Sequence, residues 1–257
     1  MPDRDDIPDR RRPVHGEPVG EPSFTEPKPV ALLGRSVRLH RIDVVRDLAQ
    51  LFACGHGGEA DVLWRFMPYG PFGSAKQMRT WLQRCAASSD PIWFTARSGI
   101  DGSAIGMAAI MEIRAAAGVA EIGHIWIGPR FQRSREATEA LFLLMDHVLT
   151  TCRYRRLEWK CDALNARSRG AARRLGFRHE GIFYNHTVVK GRNRDTAWFS
   201  ILDSEWPALR GALVAWLDPA NFDANGRQRR TLREMAVALG DKPLPRPLVA
   251  GSGHGGG

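Results

Sequence analysis

The sequence is poor in cysteine and has no long apolar runs. Its four cysteines, Cys54, Cys85, Cys152 and Cys161, are scattered, with no CxxC pair and no Cys/His metal pattern. They offer neither a zinc site nor a disulfide framework, and they read as reduced thiols. The eight histidines show no HExxH or similar spacing, so no metal is expected. No stretch approaches the roughly 18 apolar residues that a membrane-spanning helix needs. The first residues, MPDRDDIPDRRRPVHGEP, are charged and lack the apolar core of a secretory signal. They also lack the Ser-rich, acid-poor character of a transit peptide. A cytoplasmic location without a membrane partner is the expectation.

What is present is enough for a core. Apolar residues make up 43% of the 257, and the eight tryptophans sit largely in apolar runs, which argues against a disordered chain. The net charge of +9 is uneven. Residues 1–28 hold more acids than bases. The excess gathers at Arg153, Arg155, Arg156, Lys160, Arg167, Arg169, Arg173, Arg174 and Arg178, against Glu158 and Asp162, and again at Arg227, Arg229, Arg230 and Arg233. Such clusters suit a polyanion, either nucleic acid or a phosphate-rich small molecule, or form a solvated basic face.

Periodicity divides the chain. Residues 1–28 are rich in Pro, Asp and Arg without rhythm and read as a disordered tail, as does the Pro/Gly-rich end 241–257. A main domain is expected over 29–218 and a basic extension over 219–240. Val30–Ile42 reads as a strand following a turn at Gly34. Asp43 and Ser74 read as caps of two helices. Ile92–Arg97, Ala104–Arg114 and Val119–Gly128 read as an antiparallel meander. Ser134–Thr151 carries Ala137, Ala140, Leu141, Leu144, Met145, Val148 and Leu149 at unbroken helical spacing. A strand Arg156–Cys161, a helix Asn165–Leu175, a hairpin of Gly181–Val189 with Thr196–Leu202, and a last helix capped by Ser204 complete an α/β arrangement with a mixed sheet.

One junction has chemical potential on physical grounds. After the strand ending near Ile127, a turn with Gly128, Pro129 and Arg130 leads into the helix from Ser134. The first helical turn presents unpartnered N–H groups at the positive end of the helix dipole, where a diphosphate fits.

Four stretches in order, GRSVRLHRID, EIGHIWIGP, ATEALFLLMDHV and LNARSRGAARRLGFRHEGIF with the following GRNRDTAWFSILDSEW, resemble the GNAT superfamily of N-acetyltransferases and its RimJ/RimL-like branch. The resemblance covers about Gly34 to Leu209. It implies a GNAT-like, mostly antiparallel mixed sheet flanked by helices, with splayed central strands. It implies acetyl-CoA as co-substrate and an amine acceptor, a protein N-terminus or a small molecule. The cofactor arm would run along Ile125, Trp126 and Ile127. Its diphosphate would meet Gln132, Arg133, Ser134, Arg135, Glu136, Ala137 and Thr138, and Asn165 and Ser168 would lie near the arm and sulfur. The family's turn ordinarily has a glycine where Arg135 stands.

Acetyl transfer needs a neutral amine, a polarised carbonyl and a proton for the leaving thiol. Glu121 is the first candidate base, set against a surface carboxylate or a partner for a nearby arginine; Ser168 is the candidate proton donor, set against a place in the first helical turn after the cap Asn165. Strand alternation puts His124 on the face opposite Glu121. There it could orient substrate or sit hydrogen-bonded in the core. Trp64, Phe66 and Tyr69 are candidate acceptor contacts, set against loop packing. Asp195 is expected to close the turn KGRNRD. A non-catalytic CoA- or RNA-binding module is the alternative, although no RNP signature is present and nucleic acid is not expected as a partner. Trp206 and Trp216 could face a partner or the core, so monomer and homodimer both stand.

Overall fold

The computed structural model describes residues 19, 23–58 and 60–238. The strands are β1 (Leu32–Leu33), β2 (Val37–Arg41), β3 (Ile92–Ser98), β4 (Ala104–Arg114), β5 (Val119–Ile127), β6 (Arg156–Asp162), β7 (Arg178–Val189) and β8 (Arg192–Leu202). They form one sheet in the order β1-β2-β3-β4-β5-β6-β8-β7. Each pairing is antiparallel except that of β5 with β6. The helices are α1 (Val44–Gly55), α2 (Ala60–Trp64), α3 (Ala75–Ala87), α4 (Arg135–Asp146), α5 (Ala166–Arg174), α6 (Trp206–Leu217) and α7 (Leu232–Ala238).

Strand alternation sends side chains to both faces, and each face has its own core. On one side, Phe94, Ile110, Ile122, Leu157, Trp159 and Phe199 meet Leu141, Leu144 and Met145 of α4, Val148 just beyond it, and Leu209 and Leu213 of α6. On the other, Trp93, Met107, Ala109 and Trp126 meet Leu48 and Leu51 of α1 and Met78 and Leu82 of α3. Burying each large side chain contributes roughly 1.5–3 kcal/mol. Trp206 and Trp216 are buried in the first core, so both face the chain's own interior.

Helix α4 is seated by its own sequence. Ser134 Oγ caps it by accepting the Ala137 N–H (3.1 Å). The α-helix ends at Asp146 and continues as a π-helical turn over His147–Thr151, where Cys152 N–H reaches His147 O (2.9 Å). From mid-helix, the buried Glu139 carboxylate accepts the N–H groups of Arg35 (2.8 Å) and Ser36 (2.7 Å), clamping the β1–β2 turn.

Several boundaries differ from expectation. Residues 23–28 carry contacts of their own. Thr25 N–H bonds Cys152 O and Phe24 packs edge-on against Tyr154. The expected tail 241–257 lies outside the described residues, as do residues 1–18 and 20–22 of the N-terminal one. The basic stretch from 219 is tied into the domain, with Leu232, Met235 and Ala236 buried in the first core. The Asn221 side chain also binds Trp216 O and Arg230 O. Ser204 does not cap α6; Glu205 occupies that position without a side-chain cap bond. The arms of β7 and β8 are longer than their patterns suggest, because much of β7 is exposed and carries no buried alternation.

A buried carboxylate ties α1 to the sheet. Asp47 is fully buried and accepts from Arg97 Nη2 (2.8 Å), Arg46 Nε (3.0 Å) and Thr95 Oγ1 (2.8 Å). Burial pushes its carboxyl up, but His40, Arg46 and Arg97 outweigh that and hold it well below the usual carboxylate range. Removing one partner of a buried pair costs about 3–5 kcal/mol. Asp47→Asn is therefore expected to lower the unfolding free energy in urea by about that amount. Because the folded-state pKa is depressed, the wild-type contribution is full above about pH 4 and is lost as the pH falls below it. Comparing the two proteins from pH 7 to pH 3 should show the gap closing.

Candidate active site

The site begins with an irregularity in β5. Ile110 pairs with Ile122 and Ala109 with Gly123, but Met107 pairs with Trp126, so β5 carries an extra residue there. His124 takes up the bulge in the left-handed region (φ 52°). The two backbones press together nearby: a Cβ on Gly106 would lie 2.2 Å from Trp126 O. The bulge overturns the alternation-based placement of His124. Its ring stacks on Trp93 (4.4 Å) and lies 5.5 Å from Tyr69, on the face that also carries Glu121.

The other edge of β5 is open. It pairs with β6 only through Val119–Arg156, Ala120–Leu157 and Glu121–Glu158. Beyond Glu121 the two strands part, and Ile122–Ile127 have no strand partner on that side among the described residues. Unpaired backbone in a sheet interior is costly unless something else completes it, so this fork is shaped for an extended ligand.

The face with Glu121 is aromatic and charged. Trp81 lies 4.4 Å from Tyr69 and 5.4 Å from Trp93. Burial pushes the Tyr69 hydroxyl well above its ordinary pKa, and its oxygen has no partner among the described residues. Trp64 is 0% exposed and donates to Gly55 O (2.7 Å). It packs beneath this wall against Trp126 (5.0 Å). With no accessible surface it cannot touch an acceptor, which corrects the expectation for Trp64. Phe66 is half-buried outside the stacked cluster. The β7–β8 turn comes back over this loop, with Lys190 Nζ donating to the carbonyls of Trp64 (3.0 Å) and Gly70.

Glu121 is 5% exposed. Its carboxylate meets Lys160 Nζ at 2.9 Å, and Lys160 also reaches Glu158 at 3.2 Å and the Trp198 ring at 4.3 Å. Burial pushes the Glu121 pKa up, against the pull of Lys160. Glu158 is held in turn by Arg114 (2.6 Å) and Arg156 (2.8 Å).

The opposite face supplies the helix end. Thr138 N–H makes the first bond within α4, to Ser134 O (3.3 Å), and Ala137 N–H goes to the cap. The N–H groups of Arg135 and Glu136 are left directed out of the helix end. The residue of this turn in the left-handed region is Arg133 (φ 64°), so the backbone conformation at Arg135 demands no glycine. The Arg135 guanidinium instead lies over the Phe222 ring (5.3 Å). Gln132 Nε2 donates to Ile127 O (3.0 Å), joining the turn to the strand end. Thr138 Oγ1 donates to Ser134 O (3.1 Å) and accepts from Arg174 Nη1 (3.1 Å). Asn165 Oδ1 caps α5 by accepting Ser168 N–H (3.0 Å), and Ser168 Oγ accepts Trp159 Nε1–H (3.0 Å). Asp195 closes its hairpin by accepting Asn185 N–H (2.8 Å) and Asn193 Nδ2 (2.9 Å), and among the described residues no arginine pairs with it.

Glu121 and His124 therefore share one face, while Ser134–Thr138, Asn165 and Ser168 lie on the other, with the fork between them. Sequence reasoning missed Lys160, Trp198 and Lys190. The alternation of Glu158 and Lys160 in LEWKC was an available signal for the first. Among the described residues, no group of three or more His, Cys, Asp or Glu side chains is placed to hold a metal, and no helix is long and apolar enough to cross a membrane.

A mostly antiparallel sheet whose one parallel pair forks beside a helix N-terminus is the architecture of acyl-CoA-dependent acetyltransferases. The chain belongs to the acetyltransferase (GNAT) domain family, which it matches over residues 37–178. It is similar to the crystal structure of a GCN5-related N-acetyltransferase from Brucella melitensis, with 44% identity, 83% of this chain and 97% of that one covered, and a TM-score of 0.82. A probable GNAT-family acetyltransferase from Chromobacterium violaceum ATCC 12472 is 39% identical over 76% of this chain and 98% of its own, with a TM-score of 0.70. A Bacillus subtilis (strain 168) protein named "Putative ribosomal N-acetyltransferase YdaF" is 29% identical over 106 residues, 41% of this chain. The match spans 57% of that relative's length.

Burial, with the charge of Arg194 adding to it, pulls His124 down to about 4. Its ring is expected to stay neutral from about pH 5 upward. A two-dimensional imidazole NMR titration should place its midpoint roughly two units below that of an exposed histidine.

Proposed function

We propose that this protein transfers acetyl from acetyl-CoA directly to a primary amine, the α-amino group of a protein N-terminus. The observation that carries the proposal is the fork between β5 and β6, open from Ile122 onward with a capped helix N-terminus beside it. Acetyl-CoA supplies the activated acetyl thioester. The free backbone edge at Ile125, Trp126 and Ile127 completes itself on an extended arm, as a strand edge would. The turn Gln132–Arg133–Ser134 and the first turn Arg135–Glu136–Ala137–Thr138 offer N–H groups and a positive dipole end to a diphosphate. Asn165 and Ser168 border the arm from α5.

The fork is also the passage between the two faces. On the helical side, Ser168 Oγ accepts the Trp159 N–H and stands beside the Cys161 thiol, and its hydroxyl proton is the one given to a leaving sulfur. On the aromatic side, Glu121 takes the amine's proton through one water, since its carboxylate is nearly buried. His124, neutral, accepts a hydrogen bond from the amine with Tyr69 beside it, and Phe66 extends the acceptor side beyond the stacked cluster.

Two considerations favour an α-amine. Arg194 places positive charge near this face, which disfavours binding an ammonium. An α-amine, with pKa about 8, is roughly a tenth neutral at pH 7, whereas a lysine near ~10.4 is far less so. The name of the Bacillus subtilis relative, a putative ribosomal N-acetyltransferase, suits a protein acceptor.

Thiol release from acetyl-CoA should be followed with a panel of N-terminal peptides and small amines. Turnover with peptides is expected, and tight CoA binding without turnover on any amine would instead leave a binding module. Glu121→Gln should lower kcat/KM by about a hundredfold or more while CoA affinity stays within about twofold. Ala137→Glu, which puts charge and bulk at the helix end, should weaken CoA binding about tenfold or more in a calorimetric titration.

A further inference from the structure

Lys160 stands on β6 two residues past Glu158, the last β6 residue paired with β5. The backbones have already parted at that level, yet its side chain reaches back across the opening to Glu121. Three contacts fix the ammonium: Glu121 at 2.9 Å, Glu158 at 3.2 Å and the Trp198 ring at 4.3 Å. Both ends of the Glu121 pair are shielded, with side-chain exposures of 12% for Lys160 and 7% for Glu121.

The other charges around Glu121 do not replace this contact. From β4 come Glu112 and Arg114, from β6 Glu158 and Arg156, from β7 Glu180, from β8 Arg194, and from β5 itself His124. Arg114 and Arg156 are engaged by Glu158, and Arg156 by Glu180 as well. Glu112 and Glu158 bear the same sign as Glu121 and oppose its ionisation. Among the described residues, Lys160 is the cation in salt-bridge contact with Glu121.

We propose that Lys160 is a positioning residue for acetyl transfer: reaching across the fork, it keeps the Glu121 carboxylate charged and aimed at the acceptor face. This rests on the proposal that Glu121 takes the amine's proton. A cation beside a carboxylate favours its ionised form, and in a shielded site the effect is larger than on a surface. Without the ammonium, Glu121 would be left among like charges in a buried setting and would take up a proton at higher pH.

The test compares wild type with Lys160→Met, Lys160→Gln and Lys160→Arg. Two quantities are read: the pH profile of kcat/KM with an N-terminal peptide, and the titration of the Glu121 carboxyl carbon in 13C-glutamate-labelled protein, assigned by its absence in Glu121→Gln. Melting curves select the variants that fold, and Lys160→Gln serves if Lys160→Met does not. In the neutral variants, the acid limb and the Glu121 midpoint are expected to move up together by about one pH unit, an approximately tenfold loss on the acid limb. Lys160→Arg should restore most of both. An equal loss at every pH with the Glu121 midpoint unmoved would overturn the proposal and leave Lys160 a packing residue. If wild type releases no thiol with any amine, acetyl transfer fails, but the carbon titration still decides for or against Lys160.

Discussion

The site depends on how little of β5 and β6 is paired. Parallel strands ordinarily hydrogen-bond along their length, but here three residue pairs hold them before they diverge. Two features sit at that divergence. The bulge at His124 turns the upper part of β5, and the Glu121–Lys160 pair spans the point where the backbones separate. Side chains thus take over where backbone bonds stop. The sheet keeps its continuity through β4–β5 on one side and β6–β8 on the other, so the opening does not split the two cores.

Much of this was legible in the sequence because it is periodic. The spacing from Ala137 to Leu149 marks α4, and Ser134, Asn165, Asp43 and Ser74 act as the caps their residue types suggest. The meander β3–β4–β5 follows from alternation and glycine turns. The misses share a different origin. A bulge inserts one residue without changing composition, so the pattern that put His124 opposite Glu121 held no warning of it. For Trp64 the sequence leaves both readings open, because an aromatic residue near a loop can line a pocket or fill it, and only the packing against Trp126 and Gly55 decides. Lys160 looks like one member of a basic cluster, and only the folded chain shows that its ammonium reaches Glu121 on the neighbouring strand.

The arginine cluster illustrates the same limit. Arg173 lies over Phe199 and Arg174 over Trp216, each using its planar group as a lid on an aromatic ring. Their long stems cover apolar surface while their charge stays near the edge. A count of positive charges therefore overstates what is free to meet an anion. Arg135 behaves alike against Phe222, which links the start of α4 to the chain beyond α6.

The grip of Lys190 on the carbonyls of Trp64 and Gly70 joins segments more than a hundred residues apart in sequence. The β7–β8 turn is exposed, and the loop is held to the second core by partly buried side chains around Trp64. Each is steadied by the other, so their local openings are linked. When the turn lifts, the loop loses an ammonium that satisfies two of its carbonyls. Amide hydrogens around residues 64–72 and 188–192 would then exchange as one cooperative unit, at a free energy below that of global unfolding.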